Sequence, residues 1–500
     1  KVKACFFANY CYNLSINYQV SMADKIGNLA KNTSYFTLAL IAQKLISLVY
    51  FTIYARVLGP ADLGKYYFAL SFTTIFSIAL DLGLTNLLTR EVAKDKAKAG
   101  EYLSAALGGK LLLSGLTICI IALVTKLFGY DPLVSTLIWV AALSMLADSF
   151  TTLLFGFNRA FHNLKFESIN AVLAQSITLV VSLLIFRWGG GLVPLMWAQV
   201  ASSFFALSYA LLVIKFAWSL SLRPSFNLNY FKALLALALP FGLYAIAQRF
   251  YNYLDSVLLY QLAGDTAVGI YQIPFRAVTA LQFLPIAFIA SLYPALSHYW
   301  RHNHDQLVIT FERAINYSLI LALPLAIGVA SVARPIIALF APDFLAAVLP
   351  LQLSAFTIFF MFINYPVGSL LNACDKQAIN TRHMIITAVL SIIFNLLLIP
   401  RYGVIGAIST AATSSAILFT LNWLSALGVI ETKLRPIYLT FVKALLASLV
   451  MAALVYYLQN YLNIFVVVVL AALLYFFCLL LLGAIKKTDL SSILRSFKKS

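Results

Sequence analysis

Charge is what this sequence has least of: 10% of its 500 residues are Asp, Glu, Lys or Arg, against about 25% in a soluble domain. No hydrophilic stretch is long enough to form a soluble catalytic domain. Walker A, G-x-S-x-G and H-E-x-x-H patterns are missing, which argues against direct ATP use and assigns no catalytic residue. Five cysteines, Cys5, Cys11, Cys119, Cys374 and Cys478, form an odd set without C-x-x-C spacing. Neither a disulfide framework nor a zinc site is expected from them. The strict apolar–polar alternation of membrane-barrel strands is missing too.

Hydrophobic residues fill the space that charge leaves, at 62% of the chain. They gather into runs of twenty or more that are apolar on nearly every side, the signature of an all-α integral membrane protein. The runs number about fourteen, near 34–55, 66–88, 103–126, 134–156, 168–186, 192–214, 233–258, 268–292, 312–333, 346–371, 380–399, 404–427, 436–458 and 463–484. The expected organisation is an N-terminal tail (1–33), a six-helix lobe (34–215), a loop (216–232) and a second six-helix lobe (233–428). Two appended helices (429–485) and a basic tail (486–500) complete it. Residues 1–21 lack a clean apolar core or small-residue cleavage site and do not read as a signal peptide. Met22 is a plausible start.

The stretch 34–66 organises the rest. Its apolar run carries a single charge, Lys44, near the midpoint, and leads into the turn Arg56-Val-Leu-Gly-Pro-Ala-Asp-Leu-Gly64. The pattern returns 205 residues later as Gly264-Asp-Thr-Ala-Val-Gly-Ile-Tyr271. Gly59 falls on Gly264, Gly64 on Gly269, Tyr66 on Tyr271, and Lys44 on Arg249. A second echo links Phe186-Arg-Trp-Gly189 to Pro400-Arg-Tyr-Gly403 at an offset of 214. Two pseudo-symmetric halves in parallel orientation follow from these echoes.

Basic residues crowd alternate loops. Arg90, Lys94, Lys96 and Lys98 lie on the same side as the N-terminus, as do Arg159, Lys165, Arg223 and the tail lysines. The opposite side holds only Arg56, Lys65, Lys126, Arg187, Arg334 and Arg401. The positive-inside rule then places both termini in the cytoplasm, with the chain in the cytoplasmic membrane. It also accounts for a net charge of +18 without nucleic acid.

Five cations lie outside the loops. Lys110 and Lys443 are near enough to a membrane surface to snorkel, whereas Lys44, Arg249 and Arg276 are too deep. A cation at that depth costs about 2.5–3.5 kcal/mol on insertion scales and needs a purpose. One reading pairs these three with Asp81, Asp148 and Asp255 to lock helices. The other has them line a cavity and hold an anion, for which Arg supplies a bidentate grip on phosphate. The three aspartates are alternatively a proton or sodium coupling site. Asn252 and Tyr253, with Tyr244 and Tyr251, surround Arg249 with groups that either contact sugars or serve helix packing, two readings the sequence supports equally. His298, His302 and His304 have no carboxylate or cysteine to complete a ligand set, so no metal site is expected.

The motifs around Arg56–Tyr66, Asp81-Leu-Gly-Leu84 and Thr89-Arg-Glu91 resemble the N-terminal signature of the polysaccharide-transporter family, the Wzx-type flippases. Gly264–Tyr271, Ser291-Leu-Tyr-Pro294 and Pro400-Arg-Tyr-Gly403 resemble that of its second half. The resemblance implies the two-lobed fold of the multidrug/oligosaccharidyl-lipid/polysaccharide exporter superfamily. It implies alternating-access transfer of a lipid-diphosphate-linked oligosaccharide, such as an O-antigen repeat unit, between leaflets, with no cofactor. Membrane lipids and a polysaccharide polymerase or glycosyltransferase are the partners it suggests. A multidrug antiporter and a non-transporting scaffold for polysaccharide synthesis are the alternative functions.

Overall fold

A computed structural model describes residues 2–484 except His162 and Ser219, with side chains from Tyr35 onward apart from 228–230, 233, 239–241, 291 and 340. The basic tail expected over 486–500 lies outside the described residues. Helices follow one another without a strand among the described residues. They are α1 (Val2–Asp81), α2 (Leu84–Lys94), α3 (Ala99–Phe128), α4 (Pro132–Ala160), α5 (Lys165–Arg187), α6 (Leu192–Leu212) and α7 (Leu228–Ala263). Then come α8 (Asp265–Leu281), α9 (Phe283–His302), α10 (His304–Phe340), α11 (Val348–Ala373), α12 (Gln377–Leu427), α13 (Leu434–Leu458) and α14 (Ile464–Leu481). Helix is the form that satisfies every backbone N–H and C=O within one segment, which a hydrocarbon environment demands. The protein is a multi-pass membrane protein: eleven stretches of described residues are long and apolar enough to cross a bilayer.

Two of those stretches, Tyr35–Asp81 and Gln377–Leu427, run for 47 and 51 residues, when a crossing needs about 20. Each is interrupted by a glycine in a backbone conformation that L side chains rarely adopt. Gly59 has φ 68° and ψ 179°, and Gly403 has φ 53° and ψ −126°. Their echoes in sequence behave alike, for Gly264 has φ 86° and ψ 179° and Gly189 has φ 70°. Positive φ with extended ψ is accessible to little but glycine. The repeated residues therefore do the same backbone work in both halves of the chain.

The helices gather into two compact units that interleave along the chain. The first comprises Lys1–Ser47, Ala79–Leu123 and Ala142–Gly242. Its core places Leu84, Leu87 and Val92 of α2 with Leu103 of α3, Leu153 and Phe157 of α4, and Leu234 of α7. The second comprises Leu48–Ile78, Val124–Ala141 and Leu243–Ser500. One of its cores joins Leu296, Phe311, Phe362 and Leu370 from α9, α10 and α11. Another seats α13 and α14 on α10 through Met451, Val455, Val467 and Tyr475. The Tyr475 hydroxyl donates to the Ile320 carbonyl at 2.6 Å, so α14 is tied to α10 by a polar as well as an apolar contact.

Within the second unit the two copies of the turn motif pack on each other. A Cβ on Gly64 would overlap the Asp265 carbonyl, and one on Gly269 would overlap the Pro60 carbonyl. Pro60 and Asp265 are themselves repeat equivalents, so the contact is reciprocal, like that of an isologous dimer folded into one chain. Lys65 adds an ion pair to Asp62 at 3.1 Å and lies 3.7 Å from Asp265. Gly64→Ala and Gly269→Ala are each expected to cost about 1–3 kcal/mol through overpacking. Gly328→Ala, whose new methyl meets only the Met451 methyl at 3.5 Å, is expected to be neutral or slightly stabilising. Thermal unfolding of the three purified variants in one detergent checks the ranking; equal midpoints would contradict it.

Candidate functional site

Helix α7 carries an unusual polar face. Tyr244, Gln248, Tyr251, Asn252 and Asp255 recur at i, i+4, i+7, i+8 and i+11, which sets them on one side of a helix. That side opens onto two cavities in the second unit. The larger, of about 300 Å³, is lined by Gln248 and Asn252 of α7, Gln282 between α8 and α9, Asn364 and Asn372 of α11, and Asn380 of α12. Tyr244, Phe360 and Tyr365 give it aromatic walls. The smaller, of about 90 Å³, is bounded by Asp255, Tyr271 and Thr279 and shares Tyr251, Asn252 and Gln282 with the larger.

Asp255 is 4% exposed and has two neutral donors. The Tyr271 hydroxyl donates to its Oδ2 at 2.9 Å, and Asn395 Nδ2 donates to its Oδ1 at 2.6 Å. Behind the larger cavity runs a chain of amides. Asn422 Nδ2 donates to Asn364 Oδ1 at 3.0 Å and to Asn380 Oδ1 at 3.2 Å, while Asn380 Nδ2 donates to Asn372 Oδ1 at 3.2 Å. His383 Nδ1 lies 2.8 Å from Asn422 Oδ1. Since that oxygen has no proton to give, Nδ1 carries the imidazole hydrogen.

The deep cations have different settings. Arg249 donates to the Ser77 hydroxyl of α1. The Arg276 guanidinium lies over the rings of Tyr67, at 4.5 Å, and Phe51, at 5.7 Å. Its Nε is buried without a hydrogen-bond partner among the described residues. Ser77 and Tyr67 are ten residues apart on α1, so the two guanidinium contacts are about 15 Å apart along that helix. Neither arginine forms an ion pair with a carboxylate among the described residues, where Lys65, Lys110 and Arg159 do. Tyr253 packs its ring, centroids 6.2 Å apart, against Phe275, a residue that lines the smaller cavity. Lys44 belongs to the first unit and is half-buried.

Lys110 corrects an expectation. It does not snorkel: it is fully buried, with its ammonium 3.5 Å from Asp81 Oδ1. Asp81 also accepts from the Thr85 hydroxyl. One intramembrane aspartate is therefore neutralised by a lysine one helix over, where the apolar sequence around Lys110 gave no sign of burial. Asp148 is exposed. His298 and His302 stack at 4.5 Å, and His302 Nδ1 lies 2.9 Å from the His298 carbonyl oxygen. No group of three His, Cys, Asp or Glu among the described residues is arranged to hold a metal.

Sequence reasoning found Asn252 and Asp255 but missed Gln248, Gln282, Asn364, Asn372 and Asn380. The signal was present in part: Gln248, Asn252 and Asp255 share a helical face, and carboxamides are costly in an apolar run unless satisfied. Lys110→Met, which strands Asp81 opposite an apolar side chain, is expected to destabilise the protein by about 3 kcal/mol. Lys110→Met combined with Asp81→Asn is expected to recover most of that loss. A double-mutant cycle on thermal unfolding measures it, and additive effects would show that the pair is not coupled.

Comparison with known proteins bears on this arrangement. Residues 29–300 match the family model described as "Polysaccharide biosynthesis protein", and residues 240–397 match the MatE model. The probable low-salt glycan biosynthesis flippase Agl15 of Haloferax volcanii is 24% identical over 385 residues, covering 73% of this chain and 76% of that protein. The capsular polysaccharide biosynthesis protein CapF of Staphylococcus aureus is 23% identical over 400 residues, covering 77% of this chain and 96% of that protein. Among solved structures, the lipid II flippase MurJ in an inward closed conformation superposes with a TM-score of 0.72 at 15% identity, covering 89% of this chain and 97% of that one. The fold is thus of the all-helical MurJ type.

Proposed function

The chain belongs to the polysaccharide biosynthesis protein family, and from that premise we propose that it is a flippase for a lipid-diphosphate-linked oligosaccharide. The observation that carries the proposal is the combination found in the second unit. Two arginines, on α7 and α8, lack carboxylate partners among the described residues, and a polar cavity without charge lies along α7. A lipid-linked glycan presents both chemistries, an anionic diphosphate for guanidinium groups and a neutral hydroxylated head for amides. Agl15 and CapF carry names that point the same way.

In this reading the chain crosses the cytoplasmic membrane fourteen times, the 47- and 51-residue stretches each crossing twice, the other nine stretches once and α7 once, with both termini in the cytoplasm. Six-helix lobes at 34–215 and 233–428 alternate access to the two leaflets, and the reciprocal Gly64/Gly269 contact is the place that parts when the site opens. Arg249 and Arg276 hold the diphosphate in succession, because their contacts on α1 are about 15 Å apart. The lipid tail stays in the bilayer. Asp255, with Tyr271 and Asn395 on its two oxygens, takes the coupling proton or sodium ion. The protein makes and breaks no covalent bond, and a polymerase or glycosyltransferase supplies or consumes its cargo.

Arg249→Ala is expected to reduce surface glycan at least tenfold at unchanged protein level, with the lipid-linked oligosaccharide accumulating in the membrane. Arg276→Lys is expected to fall between wild type and Arg276→Ala, because ammonium keeps the charge but loses the bidentate grip. Quantifying surface polymer and extracted lipid diphosphates in cells carrying each variant checks both. Full export with normal lipid pools in well-expressed Arg249→Ala would remove the assignment. It would favour the drug-antiporter reading that the MatE match over 240–397 supports, which predicts instead a change in drug resistance on overexpression.

A further inference from the structure

The larger cavity in the second unit has a composition rare inside a membrane protein. Six carboxamides face it, those of Gln248, Asn252, Gln282, Asn364, Asn372 and Asn380, and no acidic or basic side chain lines it. Ligand pockets are usually apolar with a few polar groups, so a wall of amides has to be read by what amides recognise. Each offers two donors and an acceptor with two lone pairs on a flat frame. An anion or an organic cation brought here would find no opposite charge and would lose its hydration uncompensated. A hydrocarbon chain would strand the amides.

The two walls offer different things. On one, Gln248, Asn252 and Gln282 form no side-chain hydrogen bond among the described residues, and they present both donors and acceptors. On the other, the orientation of each amide is set from behind. Asn422 spends both Nδ2 hydrogens on Asn364 and Asn380 and its Oδ1 on His383. The oxygens of Asn364 and Asn372 each already accept one bond, so these residues keep both Nδ2 hydrogens but a single lone pair and offer mainly N–H. Tyr244, Tyr365 and Phe360 add ring faces at the cavity edge. A ligand suited to both walls has many neutral oxygens that accept, hydroxyls that donate, and apolar C–H faces.

We propose that this cavity binds neutral pyranose units, with the α11–α12 wall donating to ring, hydroxyl or acetamido oxygens and the α7 wall exchanging hydrogen bonds with hydroxyls. The assignment rests on the flippase reading for its biological cargo but not for its chemistry. It makes the carboxamides the specificity determinants and leaves the arginines to the diphosphate. Uronic acids are disfavoured, since no cation lines the cavity to meet their carboxylate. Rejection of a poorly matched head follows from amides left unpaired when its hydroxyl pattern is wrong.

Two measurements separate this assignment from the transport reading. The first uses the full chain in lipid nanodiscs and saturation-transfer NMR with methyl glucoside, methyl N-acetylglucosaminide and methyl glucuronide. At least one neutral glycoside is expected to bind at least tenfold more tightly than the glucuronide, and to lose at least tenfold in Gln248→Ala/Asn252→Ala. Asn252→Leu, close in size and removed from no hydrogen bond, serves as a second variant that keeps the fold, checked by a monodisperse size-exclusion profile. Glucuronide binding as tight as that of the neutral glycosides, or variants that bind like wild type, would overturn the assignment. The second measurement reconstitutes the chain in vesicles with a short-chain polyprenyl diphosphate, either bare or carrying a neutral disaccharide. The double variant is expected to slow the sugar-bearing lipid at least tenfold and leave the bare diphosphate unchanged. Sugar binding without movement of either lipid would sink the flippase reading and leave the pocket standing. Movement of both lipids by wild type and variant alike would do the reverse.

Discussion

The absence of water from the bilayer interior is the constraint on which everything else in this protein rests. A polar group placed there must find its partner in the protein. For the backbone the answer is helix throughout. For side chains it is a set of specific meetings: Lys110 with Asp81, Asp255 with Tyr271 and Asn395, Asn422 with three neighbours at once. Arg276 is met by ring faces rather than by a carboxylate. Since partners come from distant helices, each meeting also specifies which helices are neighbours, so polar satisfaction and tertiary structure are one problem.

A second constraint is closeness of approach. Gly64 and Gly269 let two backbones touch where any side chain would hold them apart. Gly59 and Gly264 bend the chain into the segments that make this contact, in a conformation open to little but glycine. That the four residues are related by one offset makes the contact two-fold in character. A symmetric contact built from backbone rather than interlocking side chains is held by modest dispersion forces, with Lys65 3.7 Å from Asp265 beside it.

The polar groups of the second unit are sorted by kind. Guanidinium groups lie against α1, carboxamides collect on the opposing faces of α7, α11 and α12, and the carboxylate of Asp255 lies in the smaller adjoining cavity. Helix α7 achieves the separation with adjacent residues. Gln248 faces the cavity while Arg249, about 100° further round the helix, reaches Ser77. One helix thereby carries a guanidinium and a carboxamide on adjacent residues without mixing their environments.

Much of this was legible in order along the chain. Long apolar runs determined an all-helical membrane protein, because no other continuous segment survives in hydrocarbon without exposed backbone. The recurrence of Gly59, Gly64 and Tyr66 at 264, 269 and 271 determined the internal repeat. The depth of Lys44, Arg249 and Arg276 marked them as residues in need of an explanation. What sequence could not decide was which buried groups meet. Lys110 read as a residue within reach of the interface, and only the packing of α3 beside the end of α1 put its ammonium on Asp81. Asn364, Asn372 and Asn380 read as scattered polar residues, and only the juxtaposition of α11, α12 and α7 made them one wall of a cavity. Periodicity along a helix reports which residues share a face. The energy of a buried amide or ion, however, depends on the atoms across from it, and those are supplied by residues tens to hundreds of positions away.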